Sequence, residues 1–305
     1  MSDSAYGPLR LWDGSQPALL RAGPAVSMQG TDQTDSSLVE LGMALAPRET
    51  LRSLPRAREA TEPLTLQWYL ELEELRYERQ GRWIPSLLEF GKHAGDHLLG
   101  LGHCLGSDLI QYARNGAEVV CACPWAEQLA LIRRNFELRG LQGSFLHAGS
   151  AVLPLESSSI DVACLSGLEH EFTAPSEFLD EVYRVLKPGG KVLAVVPARY
   201  DVVFWSRWWR LGERLAGPSL PINSDPCTIG GLLSPQAHRF RGRELRQLFH
   251  RFQEPRLYKR HLRRAELPHL WRWYPLSLLE RLMGRLIVLK AFKPVSAAIG
   301  EQAAA

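Results

Sequence analysis

The sequence predicts an α/β fold: a doubly wound, mostly parallel sheet with helices on both faces. Three observations carry this. Strand-like and helix-like segments alternate from His97 to Val196. The stretch LLGLGHCLGSDL at 98–109 runs from an apolar strand through glycines 100, 102 and 106 into a helix. A helix, a Pro-Gly-Gly turn and an apolar strand then follow one another from Phe178 onward. Strands alternating with helices of this length form a parallel sheet covered on both faces. Right-handed crossovers put the strand C-termini on one edge, where ligands bind.

The elements follow in order. Residues 1–63 are rich in Ser, Gly, Pro and Asp and show no sustained period, which predicts a loosely ordered segment with a short helix near Ser37–Leu45. A helical lead-in occupies 64–96: Trp68, Leu70, Leu72, Leu75 and Tyr77 among Glu and Arg mark one amphipathic helix, and Trp83–Phe90 a second piece. The core, 97–200, reads as strand His97–Leu101, helix Ser107–Arg114, strand Ala117–Cys123, helix Ala126–Arg139 closed by Gly140, and strand Ser144–His147. Strand Ile160–Leu165, helix Pro175–Leu186 and strand Lys191–Val196 complete it. In 201–293, a basic, Trp-rich segment contributes a helix at Gly242–Phe252, a strand at Pro255–Lys259, a helix at Pro275–Met283 and a strand at Arg285–Phe292. A tail spans 294–305.

A chain of 305 residues can bury a substantial core. No apolar run is long enough to span a bilayer, and the N-terminus lacks the basic-then-apolar build of a signal peptide, so the expected location is the cytoplasm. Five scattered cysteines make no disulfide framework, and the C-x-C at Cys121 and Cys123 has no second pair to complete a metal site. The net charge of +3 hides an asymmetry. Residues 1–200 carry 18 Lys/Arg against 25 Asp/Glu, and residues 201–305 carry 18 against 8. The basic part also holds Trp205, Trp208, Trp209, Trp271 and Trp273.

The glycine stretch aims backbone N–H groups and a helix dipole at a ligand. In nucleoside sites an acid ending the second strand accepts hydrogen bonds from ribose hydroxyls; here that position is Cys123. Gly100-x-Gly102-x-x-x-Gly106 is loosely compatible with a nicotinamide cofactor, but no acid ends strand two.

Leu186-Lys-Pro-Gly-Gly-Lys, Arg134-Asn-Phe-Glu-Leu-Arg-Gly-Leu and Leu153-Pro-Leu-Glu-Ser-Ser-Ser-Ile-Asp-Val resemble segments of the class I S-adenosylmethionine-dependent methyltransferases of the "type 11" branch. The resemblance covers about residues 85–200 and reaches more weakly to Leu282-Met-Gly-Arg-Leu-Ile-Val-Leu-Lys-Ala. It implies a Rossmann-like sheet of about seven strands with an antiparallel last strand. It also implies S-adenosylmethionine as cofactor: Gly100, Leu101, Gly102, His103 and Gly106 at its amino-acid end, Cys123 at the ribose, Ser150 and Ala151 at the adenine, and Ser166 completing the set. His170, after the fourth strand, would stand near the methyl acceptor as a base.

Four positions depart from the family pattern. Gly100, Cys123 and Ser150 stand where acids are usual, and Cys104 where glycine is usual. Each lost charge-assisted hydrogen bond costs about 1.5–3 kcal/mol if uncompensated, so the expected cofactor site is weakened. Two functions follow: methyl transfer to a small or amphiphilic acceptor, or a catalytically silent binding module using an altered pocket. The expected partners are such an acceptor and, through Trp205, Trp208 and Trp209 on one helix face flanked by Arg207 and Arg210, an anionic membrane surface. That surface would place the protein at the inner face of a membrane. Nothing resembles a nucleic-acid-binding motif.

Overall fold

The computed structural model describes residues 62–77, 81–102, 105–148, 152–166, 175–202, 204–205 and 238–295. The helix expected near Ser37–Leu45 lies outside them, as do Trp208 and Trp209.

Seven strands form one sheet: β1 (His97–Leu101), β2 (Glu118–Cys123), β3 (Ser144–His147), β4 (Ile160–Ser166), β5 (Leu186–Pro197), β6 (Gln253–Arg260) and β7 (Leu286–Phe292). Their order is β3-β2-β1-β4-β5-β7-β6. The pairings among β1 to β5 are parallel, and β7 runs antiparallel to both neighbours. The direction of winding reverses between β1 and β4, the switch point where open sheets of this kind bind ligands.

The alternation of side chains across the pleat separates two apolar layers. On one face Leu99, Leu101, Ala163 and Val192 meet Phe178, Val182 and Leu245 from helices α5 (Pro175–Val185) and α6 (Gly242–Leu248). On the other, Leu98, Val119, Val162 and Leu193 meet Leu109, Ile110, Ile132 and Phe136 from α3 (Ser107–Arg114) and α4 (Ala126–Leu138). Helix α1 (Leu66–Tyr77) and the short α2 (Ile84–Leu87) lie on the α3–α4 side, and α7 (Leu276–Met283) precedes β7.

Several expected boundaries move for identifiable reasons. β5 begins at Leu186 rather than Lys191, because Leu186 pairs with Ile160 before a register shift to Val162↔Lys191. The Lys-Pro-Gly-Gly segment is therefore an irregular entry to the strand, with Gly189 at φ 79°. α6 stops at Leu248, and Phe249 and Phe252 turn back into the core. The piece expected at Trp83–Phe90 breaks at Glu89, whose φ of 58° is left-handed, and resumes as a 3₁₀ turn at Phe90–Lys92.

Glu89 joins that break to the N-terminal edge of the sheet. Its carboxylate accepts from Lys191 Nζ (2.6 Å) on β5 and Lys290 Nζ (2.7 Å) on β7. Burial pushes the Glu89 carboxyl up, and the two ammonium groups more than reverse this, holding its pKa at about 2. A carboxylate depressed in the folded state stabilises fully above its unfolded value and loses that contribution as pH falls through the folded one. Stability of the wild type is therefore expected to fall between pH ~4.5 and ~2. Glu89→Gln should lower stability at neutral pH and flatten this acid limb, read by urea denaturation across pH.

Candidate functional site

The C-terminal ends of β1, β2 and β4 lie side by side, since Leu101 is opposite both Ala122 and Leu165. From this edge the chain leaves β1 through Gly102 and enters α3 through Gly106, both at φ 71°. L-residues rarely adopt that conformation, and a Cβ on Gly106 would meet Ile132 Cγ2 at 2.8 Å. The turn is thus held against α4 while its backbone stays bare toward the edge. Leu101, Gly102, Cys123 and Ser166, all buried, are brought together along this edge with Gly106. His103, Cys104, Ser150, Ala151 and His170 lie outside the described residues.

Gly100 sits one residue back from the end of β1, directly beneath α3. A Cβ there would meet Leu109 Cδ2 at 2.5 Å and Cδ1 at 2.8 Å. The acid usual at this position in the family is therefore not simply missing; a leucine occupies the space it would need. At the end of β2, Cys123 Sγ lies 3.6 Å from Trp125 O and 3.5 Å from the Gln128 side-chain oxygen. Cys123 brings no charge to that end, and Gln128, on the first turns of α4 and half-buried, adds an amide beside it. Gln128 was not picked out by the sequence motifs because it lies beyond the strand end where an acid is sought.

A second feature supports the turn from behind. Asp108, in the first turn of α3, is buried and carries a bidentate ion pair from Arg76 of α1, with Nε–Oδ1 at 2.8 Å and Nη2 on Oδ2. Tyr77 Oη donates to the same Oδ1 (2.8 Å). Next to it, Glu73 of α1 pairs with Arg114 (3.1 Å) and Arg139 (2.5 Å) and accepts from Gln111. Asn135 of α4 donates to Leu105 O within the turn (2.8 Å). Helix α1 thereby ties together both helices that flank the glycine turn. Tyr77 and Arg76 were visible in the sequence only as members of an amphipathic helix.

The same edge continues across β5, β7 and β6. Arg285, just before β7, gives its carbonyl to Ala198 N (2.8 Å) beyond the end of β5, and its N–H to His261 O (3.2 Å) beyond the end of β6. His261 is buried, has a left-handed φ of 72°, and neither ring nitrogen has a hydrogen-bond partner. Burial pushes its pKa down, and the charges of Arg285 and Arg76 push it further, to about 4. Arg285 is buried too; its Nη1 pairs with Glu266 (3.1 Å), and its Nε has no partner. Buried polar groups are normally satisfied, so a pair left open at a ligand-binding edge marks a place for a polar ligand or water. A left-handed φ at a non-glycine residue in the same spot is the kind of strain that gathers at functional sites. No spacing rule points to His261, which is isolated in a basic loop.

Asp201 and Arg239 close the edge beside β5, with Arg239 Nη1 on Asp201 Oδ2 at 2.6 Å and Phe204 N on Oδ1 at 2.9 Å.

Residues 99–194 match the family model described as a methyltransferase domain. A demethylmenaquinone methyltransferase of Thermus thermophilus is 38% identical over 130 residues, 43% of this chain and 54% of that protein. One from Clavibacter sepedonicus is 30% identical over 127 residues, 42% and 51% of the two chains. The chain thus spans about half the length of these relatives. Among solved structures, a SAM-dependent methyltransferase from Aquifex aeolicus aligns over 73% of this chain and 97% of that one, with 15% identity and a TM-score of 0.48. The matched family implies S-adenosylmethionine as the cofactor.

Two outcomes follow from the geometry. Arg76→Met leaves the Asp108 carboxylate buried without its cation, and should destabilise by about 3–5 kcal/mol in urea denaturation. Gly100→Asp, which restores the family's usual acid, should also destabilise, by about 1–3 kcal/mol or more, because Leu109 must be displaced.

Proposed function

We propose that this chain, whose residues 99–194 form a class I S-adenosylmethionine-dependent methyltransferase domain, transfers a methyl group to a small or amphiphilic acceptor held at the β4–β5–β7 end of the edge. The observation that supports this best is the bare, left-handed Gly102 and Gly106 turn, fixed from behind by Arg76–Asp108 at the switch point of the sheet. Among the described residues, Gly102 and Gly106 leave the turn without side chains, and Cys123 and Gln128 offer polar atoms without a carboxylate, which is compatible with the cofactor. The turn would take the amino-acid end, with Cys123 and Gln128 beside the ribose. Ser150 and Ala151 remain the positions proposed for the adenine.

When bound, S-adenosylmethionine supplies an electrophilic methyl on a sulfonium and leaves as a neutral thioether. The chain's own contribution is to hold methyl and acceptor in line at near-attack distance, which is the main source of rate in such a transfer. His261 serves as the base. Its low pKa keeps the ring unprotonated at neutral pH, so that an unpartnered ring nitrogen can accept a hydrogen bond from an attacking hydroxyl and take its proton as that oxygen becomes acidic in the transition state. His170, proposed from the sequence for the same task, is the other candidate.

Calorimetric titration with S-adenosylmethionine and S-adenosylhomocysteine tests the reading. Binding of both is expected, and Cys123→Asp should tighten it by supplying the missing ribose acceptor. Absence of binding to either compound would leave the silent binding module, a reading favoured by the uncharged β2 end. For the base, His261→Gln should keep the affinity for S-adenosylhomocysteine. Methylation of a short-chain demethylmenaquinol, the first acceptor to assay given the relatives, should fall about 10²-fold or more.

A further inference from the structure

Four of the ten exposed large apolar side chains among the described residues gather on one short segment. Trp273 is 90% exposed, Tyr274 60%, Leu278 55% and Leu282 60%. Leu278 and Leu282 are four residues apart on α7 and share one outward stripe, and Trp273 and Tyr274 stand at the entry of the helix. The opposite face of the helix is well packed: Leu279 and Met283 are buried against Val202, Leu262 and Leu267. The exposed stripe is therefore not a core face left open by a loose helix. It is a second apolar face with none of the described residues over it.

Its surroundings are cationic. Arg281 and Arg264 are exposed, and Arg272 lies next to Trp273 with its guanidinium on Leu267 O (2.9 Å). The acids nearby do not offset them at the surface. Glu280 is half-buried and turned toward the backbone N–H groups of His261 and Leu262, and Glu266 is engaged by Arg285. A Trp–Tyr–Leu stripe ringed by arginines is the composition that settles into the headgroup region of an anionic bilayer, with aromatic rings at the boundary and guanidinium groups on phosphates. A protein partner of ordinary composition would match the apolar stripe but not the uniformly cationic rim.

Position adds a reason. α7 ends at Gly284, next to Arg285 and the open His261, and Lys259 Nζ bridges Leu282 O and Tyr200 O (2.9 Å each). The stripe thus borders the edge that carries the proposed acceptor site. No helix among the described residues is long and apolar enough to cross a membrane, so contact would be peripheral.

We propose that the Trp273–Leu282 face docks this protein on an anionic membrane surface and presents the acceptor end of the site to lipid-borne molecules. This deepens the methyl-transfer reading and rests on it only for the identity of what is presented. Of the residues expected from the sequence, Trp208 and Trp209 are outside the described residues and Trp205 is 37% exposed; the face proposed here is a separate one, formed by Trp273 and Tyr274 at the entry of α7 and by Leu278 and Leu282 on it.

The test is co-sedimentation of the full chain with phosphatidylcholine vesicles and with vesicles that also contain phosphatidylglycerol, at low and high salt. The wild type should bind the anionic vesicles, bind the neutral ones more weakly, and lose binding as salt screens the arginines. The triple variant Trp273→Ser, Leu278→Ser, Leu282→Ser changes only exposed side chains. It should lose about tenfold or more in partitioning, with an unchanged urea midpoint and unchanged affinity for S-adenosylhomocysteine. Equal or negligible binding of the wild type to both vesicles overturns the proposal. So does a triple variant that binds like the wild type, or a wild type that forms dimers abolished by the triple variant without binding vesicles. Failure of S-adenosylhomocysteine to bind the wild type would refute the methyl-transfer reading and leave the docking result standing by itself.

Discussion

The ion pair between Arg76 and Asp108 is the contact on which the geometry of the site depends. Glycines give a turn the freedom to approach a ligand, and the same freedom works against a fixed shape. Here the turn between β1 and α3 is clamped at its helical end. Asp108 sits in the first turn of α3, where a negative charge is favoured by the helix dipole, and Arg76 grips it from α1 with both guanidinium bonds. A buried pair of this kind adds little net stability over an apolar replacement. Its use is to fix one arrangement: α1, α3 and α4 are locked in register around the turn, with Glu73, Arg139 and Asn135 extending the network to Leu105.

That clamp also gives a physical reason for the unusual motif. Asp108 acts electrostatically on Cys164, raising its thiol pKa beyond what burial does alone. Cys164 is the cross-strand partner of Gly100. A carboxylate at position 100 would therefore enter a buried region next to the Arg76–Asp108 pair, where desolvation is costly. Leu109 fills the space instead. At this position the strand carries no charge, and the fixed charges nearby are the Asp108 and Arg76 pair behind the turn.

Much of the fold was legible because it is encoded locally. The elements His97–Leu101, Ser107–Arg114 and Ser144–His147 match residue for residue, each bounded by glycine, a cap or a change of period. The antiparallel β7, implied by the family resemblance, runs between β5 and β6. Where the expectation slipped, tertiary pairing was responsible: Leu186 joins β5 because Ile160 is opposite it, which no local signal specifies. The site was less legible. Gly102, Gly106 and Cys123 lie on the expected edge, since strand order alone puts them there. Arg76, 32 residues before Asp108, and His261, far beyond the core motifs, join that edge only through the three-dimensional packing of α1 and the turn after β6.

The charge asymmetry of the chain is also resolved by the sheet order. The basic C-terminal residues supply β6, α7 and β7, and the order β5-β7-β6 carries them to one side of the active edge. The β1–β2 side is left uncharged at Cys123, and its clamp is internally neutral. On the far side, Arg285 pairs with Glu266, Glu280 faces the backbone N–H groups of His261 and Leu262, and the charges of Arg285 and Arg76 act on the His261 imidazole. A cationic cofactor is best tolerated where fixed positive charge is already matched. An acceptor that gives up a proton is best received where neighbouring positive charge favours the resulting anion. The topology separates these two demands along one edge, and the exposed aromatic stripe of α7 lies on the side that favours the anion.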